Sequence, residues 1–209
     1  MVMTTPAITL VGRSSSHFTR TARIFALELG VPFAFQPVLD IKTTDRAVYG
    51  DNPALKVPVL VDEQGPLFGT ENICRELARR SGRRARVVLR GDVADRVVAN
   101  AEEMTLHAMG SGVIAIMTSL SGEDRPPPPK LGPSLENALG FLEAHVDAVR
   151  AALPADRLIS FCETALFCLV RHLPFRKIAD VAAYARLQAF CGSFGEREGA
   201  RATEYRFDA

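Results

Sequence analysis

The sequence predicts a mixed α/β first half followed by an all-helical second half. Three features carry that reading. Short apolar strands alternate with amphipathic helices up to about residue 80, the strand pattern disappears after residue 90, and long apolar stripes at helical spacing fill the remainder. The composition changes near residues 82 to 90, which puts a first domain at 1–82 and a second at 90–209. A chain of 209 residues, 47% of them apolar, suits two lobes sharing one interior.

Ala7 to Val11 reads as a strand, and Gly12-Arg13-Ser14-Ser15-Ser16 breaks it with side chains that cap helices well. Phe18, Ala22, Phe25 and Leu29 then recur at helical spacing, and Gly30 sits where a left-handed cap is wanted. Pro32 to Val38 is the second strand. Ile41 to Leu55 is polar and irregular, with room for at most a short helix. The run from Val57 to Asp62 is the third strand, and Pro58 must stand at its beginning or on an edge, because proline cannot donate to a central ladder. A turn at Glu63 to Pro66 leads into Leu67-Phe68, and a helix runs from Thr70 to about Arg80, where Ser81-Gly82 stops it.

Beyond the change in composition, Val93 to Leu120 is one long helix and Ser121 to Pro133 a Pro-rich connection. Ser134 to Leu153 is a second helix, amphipathic through Leu135, Leu139, Leu142, Val146 and Val149. Ser160 to Glu163 is a capping box in front of the apolar run Thr164 to Leu173, with the serine capping an amide and the glutamate reaching back. Pro174 ends that buried helix, and Ile178 to Phe190 supplies the last one.

The totals exclude several classes. Lys plus Arg number 25 against 24 Asp plus Glu, which gives no net pull toward nucleic acid or an anionic membrane. Cys74, Cys162, Cys168 and Cys191 lie scattered in apolar helical patterns, as reduced thiols of a cytoplasmic protein do. The first six residues lack the basic and apolar stretches of a secretion signal, and no run of about 18 apolar residues occurs. Cys168 and His172 share a helix face, but no further ligand pair converges with them, so no metal site is read. Ser16 and His17, about 100° apart on a helix, do not make a nucleophile and base. The arginines from Arg79 to Arg90 have no interleaved aromatics for base stacking and read as a solvated connection with ion pairs across the lobes.

Two stretches resemble a known family. Asn52-Pro53-Ala54-Leu55-Lys56-Val57-Pro58-Val59-Leu60-Val61-Asp62, with Leu67-Phe68-Gly69-Thr70-Glu71-Asn72-Ile73 after it, is similar to the signature of cytosolic glutathione transferases. Ser160 to Glu163 resembles the capping box of that family's second domain. The resemblance implies a thioredoxin-like domain followed by an all-α domain, glutathione as co-substrate, a small electrophile as second substrate, and a homodimer engaged in detoxification. It implies a cis bond before Pro58, with the amide and carbonyl of Val57 pairing with the cysteinyl part of glutathione. Thr70 and the amide of Glu71, at a helix start, would receive the γ-glutamyl carboxylate, while the Glu71 and Lys56 side chains would substitute in part for ligands that the family carries at positions 69 and 50.

Ser16 falls where serine-type members touch the glutathione sulfur, and a hydroxyl donor at a helix start favours the thiolate of a thiol whose usual pKa is about 8.5. Ser14 and Ser15 are alternatives, and so is a role for all three in capping alone. Met104, His107, Ala108 and Ser111, at helical spacing on the long helix, are the expected face for the second substrate. Gly69 stands where most members have an acidic residue, and Gly50 where many have a lysine. These departures point to the alternative function, a catalytically silent binding or scaffold module on the same fold.

Overall fold

The computed structural model describes residues 8–120 and 126–209. Ala7, the six residues before it and the first part of the Pro-rich connection fall outside that range. Four strands form one sheet: β1 (Thr9–Gly12), β2 (Ala34–Pro37), β3 (Val59–Asp62) and β4 (Gly65–Phe68), in the order β2-β1-β3-β4. β1 pairs parallel with β2 and antiparallel with β3, and β3 pairs antiparallel with β4. The prolines follow the ladder rule. Pro37 and Pro66 lie in the two edge strands, and Pro58 sits immediately before β3.

Helices α1 (His17–Glu28) and α2 (Thr70–Arg80) pack against each other, and α2 also rests on β3 and β4. At the β1–α1 junction the chain passes so close to the helix that a Cβ on Gly12 would lie 2.4 Å from Thr19 Cγ2. Only glycine permits that approach. Helices α3 (Arg96–Leu120) and α4 (Leu131–Ala152) form a long antiparallel pair. Helix α5 (Phe161–Phe175), buried from Phe161 to Leu173 except at Arg171, runs beside α1 and α3. Ala22, Ile24 and Phe25 of α1 therefore belong to the same apolar cluster as Phe161, Leu166 and Leu169 of α5, so the two halves share an interior. A smaller cluster of Val11, Val38, Tyr49 and Val59 lies under the loop between β2 and β3.

Four details correct the sequence reading. The expected last helix at 178–190 is displaced to α6 (Ala185–Gly195), because Asp180 caps Ala182 N and Gln188 holds the Val181 carbonyl, which fixes a turn there instead. Glu163 does not reach back to its cap. Its carboxylate takes the Arg157 guanidinium at 2.7 and 2.8 Å, while Ser160 Oγ alone caps Glu163 N at 3.3 Å. Two strands of two residues, β5 (Val87–Val88) and β6 (Ile159–Ser160), pair in parallel and stitch the connection to the second half. Last, the chain does not end at α6: a short α7 (Glu198–Ala202) packs on α1, and the final residues fold back over it.

That tail is built into the interior. Tyr205 donates its hydroxyl to the Cys168 carbonyl at 2.6 Å. Its ring and that of Phe167 hold the buried Arg20 guanidinium between them, at 4.3 and 4.9 Å from the ring centres. Tyr205→Phe should lower unfolding stability by about 1 kcal/mol for the lost hydrogen bond. Tyr205→Ala should lower it by about 3–5 kcal/mol. Denaturant melts that show neither loss would refute a structural role for the tail.

Candidate active site

The turn between β1 and α1 presents three serines in three different situations. Ser14 is buried; its amide donates to Asp208 Oδ2 at 2.7 Å and its hydroxyl accepts from Arg23 Nη1 at 3.3 Å. Ser15 is buried as well, and its carbonyl accepts from His172 Nε2 at 3.1 Å. Ser16 is half-buried and caps α1, its Oγ accepting from Thr19 N at 3.2 Å. The cap uses a lone pair and leaves the Ser16 hydroxyl proton available. Ser16 lines a cleft of about 480 Å³ bounded by Ile41 and Tyr49, the Asn52–Pro58 segment, Gly69 and Thr70, and faces of α3 and α5. That is the size of a small-molecule site.

His17 and His172 meet beneath this turn with their Nδ1 atoms 2.8 Å apart, both buried. The Ser15 carbonyl can only accept, so His172 carries its proton on Nε2, and the Nδ1 of a neutral ring is then a lone pair. His17 therefore donates from Nδ1, and its own buried Nε2 has no partner within hydrogen-bond geometry among the described residues. Burial, reinforced by His172, holds His17 well below the usual histidine range, with Arg176 acting in the same direction. Burial takes His172 down to about 4, with Arg176 and Arg20 also lowering it and the Ser15 carbonyl opposing them. The pair is neutral at pH 7.

On the opposite wall the Val57–Pro58 peptide bond is cis. Among the described residues nothing pairs with the backbone amide or carbonyl of Val57, because the β3 ladder begins at Val59. Val57, Pro58 and Lys56 all line the cleft. Thr70 lines it too, but as the first residue of α2 and not as its cap: the cap is Gly69, which makes no side-chain bond to the helix amides. The first amides of α2 are thus uncovered by any side chain, at a positive helix end. Glu71 turns its carboxylate to Arg75 at 2.9 Å and is not among the cleft-lining residues.

The two departures from the family pattern have backbone causes. Gly69 has φ +89°, and Gly50 has φ +58° with the methyls of Val11, Val59 and Val61 within 3.2–3.3 Å of where its Cβ would lie. A lysine at position 50 would be strained and would press on these methyls.

Residues 10–85 match the family described as "Glutathione S-transferase, N-terminal domain". That stretch is similar to the N-terminal domain of the glutathione S-transferases. The whole chain has the glutathione transferase architecture, a thioredoxin-like domain followed by an all-α one. It overlays at TM-score 0.78 and 18% identity on a glutathione S-transferase from Methylobacillus flagellatus KT with GSH bound, covering 95% of this chain and 100% of that one. It overlays at TM-score 0.75 and 20% identity on a glutathione transferase family member from Pseudomonas fluorescens Pf-5 with bound glutathione, covering 95% and 99%. The "Uncharacterized GST-like protein YibF" of Escherichia coli (strain K12) is 27% identical over 173 residues, 81% of this chain and 84% of that protein.

Within the transferase fold, the helical side of the cleft differs from the expected face. Met104 packs against the core, His107 is exposed and pairs with Glu103 at 3.2 Å, Ala108 is buried, and Ser111 faces a separate hollow with Leu131 and Leu135 of α4. None of the four lines the cleft, where α3 presents Gly110, Val113, Ile116 and Met117 instead. The helical spacing was legible but its phase was not, since Ser111 lies one residue, about 100°, from Gly110. Arg13, His172 and Arg176 are further cleft residues that the sequence reading did not assign to it. Only contacts between distant segments identify them.

The neutral histidine pair makes stability depend on pH. The unfolded chain protonates these rings below about 6.5, whereas the folded chain resists until much lower pH. The pair's contribution is therefore whole above 6.5 and is lost as pH falls toward 4, at up to about 1.4 kcal/mol per pH unit for each histidine. Glu102, raised to about 7 chiefly by burial, acts in the opposite sense in any variant that keeps it. Between pH 7.5 and 5.0 the wild type should lose more stability than His172→Gln in denaturant melts. Equal losses would exclude the pair as the source.

Proposed function

We propose that the chain is a glutathione transferase: it binds glutathione in this cleft and activates its thiol for attack on a small electrophile or for thiol-assisted isomerisation. The observation that carries the reading is the place of Ser16, the least buried serine of the turn, which keeps its hydroxyl proton while capping a helix that faces the cleft. Donation of that proton to sulfur, together with the positive end of α1, favours the thiolate by about one to two pKa units. The thiolate then forms a carbon–sulfur bond as the leaving group departs with its electron pair, and the thiol proton passes to solvent.

The rest of the tripeptide follows from the opposite wall. The unpaired amide and carbonyl of Val57, presented ahead of Pro58, would take the cysteinyl backbone. Thr70 and the amide of Glu71, at the start of α2, would take the γ-glutamyl carboxylate. Lys56 would take the glycyl carboxylate. The relatives with bound glutathione, and the family match over residues 10–85, support this reading. We extend it to a homodimer acting in the cytoplasm, with detoxification as its role.

One observation favours a second reading, a silent binding or scaffold module. No Asp or Glu lines the cleft among the described residues, so the γ-glutamyl ammonium has no carboxylate there. Calorimetric titration with glutathione, followed by a conjugation assay on an aryl halide, separates the two; neither heat nor turnover would leave the module.

If Ser16 polarises the thiol, Ser16→Ala should lower kcat/KM about ten- to a hundredfold. It should also raise the pKa of bound glutathione, read from thiolate absorbance, and cost about 1 kcal/mol of stability through the lost cap. Turnover and thiol pKa both unchanged would clear Ser16.

A further inference from the structure

We infer that the second substrate is an organic anion, an electrophile with an apolar body and a carboxylate that Arg176 and Arg13 hold. This rests on the transferase reading and deepens it. The charged residues lining the cleft are Arg13, Lys56 and Arg176, with no acidic residue among the described lining and with His172 neutral. Glutathione brings two carboxylates, and the proposed takers of both, the start of α2 and Lys56, lie along the wall carrying Val57. Two guanidiniums remain without an anion.

Among the described residues neither forms an ion pair with a carboxylate. Arg13 donates Nη1 to the carbonyls of Val38 and Leu39 at 2.6 and 2.8 Å, which fixes the side chain without cancelling its charge. The Arg176 side chain makes no hydrogen bond or ion pair among the described residues; its guanidinium lies 5.3 Å from the centre of the Phe207 ring. Arg176 is half-buried, and desolvation and the charge of Arg13 both lower its pKa. A cation at a helix C-terminus is commonplace, since the helix dipole favours it. That account does not explain why two partly desolvated cations sit together with no countercharge. An arriving carboxylate relieves both the repulsion and the missing hydrogen bonds, and guanidinium suits it geometrically.

The α3 side of the cleft is apolar. Phe18 and the α3 side chains Val113, Ile116 and Met117 line it, matching an aromatic or aliphatic body. The arrangement selects amphiphilic anions over neutral hydrophobes of equal size, because a neutral ligand would bury the guanidiniums further and leave them unpaired.

The test compares 4-chloro-3-nitrobenzoate with its neutral amide as electrophiles for glutathione. Each enzymatic kcat/KM is divided by the uncatalysed rate constant, and 4-nitrobenzoate is also titrated calorimetrically in the absence of glutathione. We expect the wild type to prefer the anion about ten- to a hundredfold after this correction, the range of one charged hydrogen bond. Arg176→Gln should reduce that preference at least about tenfold and weaken 4-nitrobenzoate binding by a similar factor. A preference near one, or 4-nitrobenzoate binding equally well to Arg176→Gln, would overturn the inference. The wild-type preference needs no variant, so misfolding of Arg176→Gln leaves it decisive. Without turnover, the titration alone decides the anion site. Glutathione titrated separately reports on the transferase reading, so the two can fail independently.

Discussion

The short turn from Gly12 to His17 is the element on which the rest of the site depends, because three parts of the molecule hold it at once. Close approach to Thr19 fixes its start. Asp208 of the tail and Arg23 of α1 hold Ser14, and His172 of α5 holds the Ser15 carbonyl. Ser16, at the head of α1, faces the cleft with its hydroxyl proton unspent. The helical half thus positions the serine turn as well as walling the cleft, and the final residues of the chain take part.

A second regularity is the sign of the site. Helix starts at α1 and α2, the unpaired Val57 amide and the cations Arg13, Lys56 and Arg176 all present positive charge or donors toward one volume. No carboxylate answers them among the described lining residues. Even the histidines contribute no charge, since burial keeps both neutral. Such a volume favours anions at every stage of the proposed reaction: two carboxylates, a thiolate, and a carboxylate on the electrophile.

The parts of this arrangement readable in the sequence were those set by local chemistry. Capping residues placed the start of α1 at His17, proline rules put Pro58 at the beginning of the third strand or on an edge, where it precedes β3 by one residue, and Thr70 to Arg80 was bounded as observed. The family resemblance located Val57, Lys56 and Thr70, which line one wall. The parts not readable depend on long-range partners. The phase of α3 is set by packing against α4 and α5, not by its own broadly apolar sequence, so Ser111 and Gly110 were indistinguishable before folding. Glu163 has two chemically reasonable partners, and the proximity of Arg157 decides between them. The tail carries no periodic pattern, and its meaning lies in Tyr205 and Asp208 reaching segments far earlier in the chain.

The most direct measurement is a crystal structure of the protein soaked with glutathione. The account predicts the tripeptide in the cleft with its sulfur within hydrogen-bond reach of Ser16 Oγ, its cysteinyl backbone paired with Val57, and the Arg13–Arg176 end still open. Glutathione absent at saturating concentration, or bound with its sulfur away from Ser16, would contradict it.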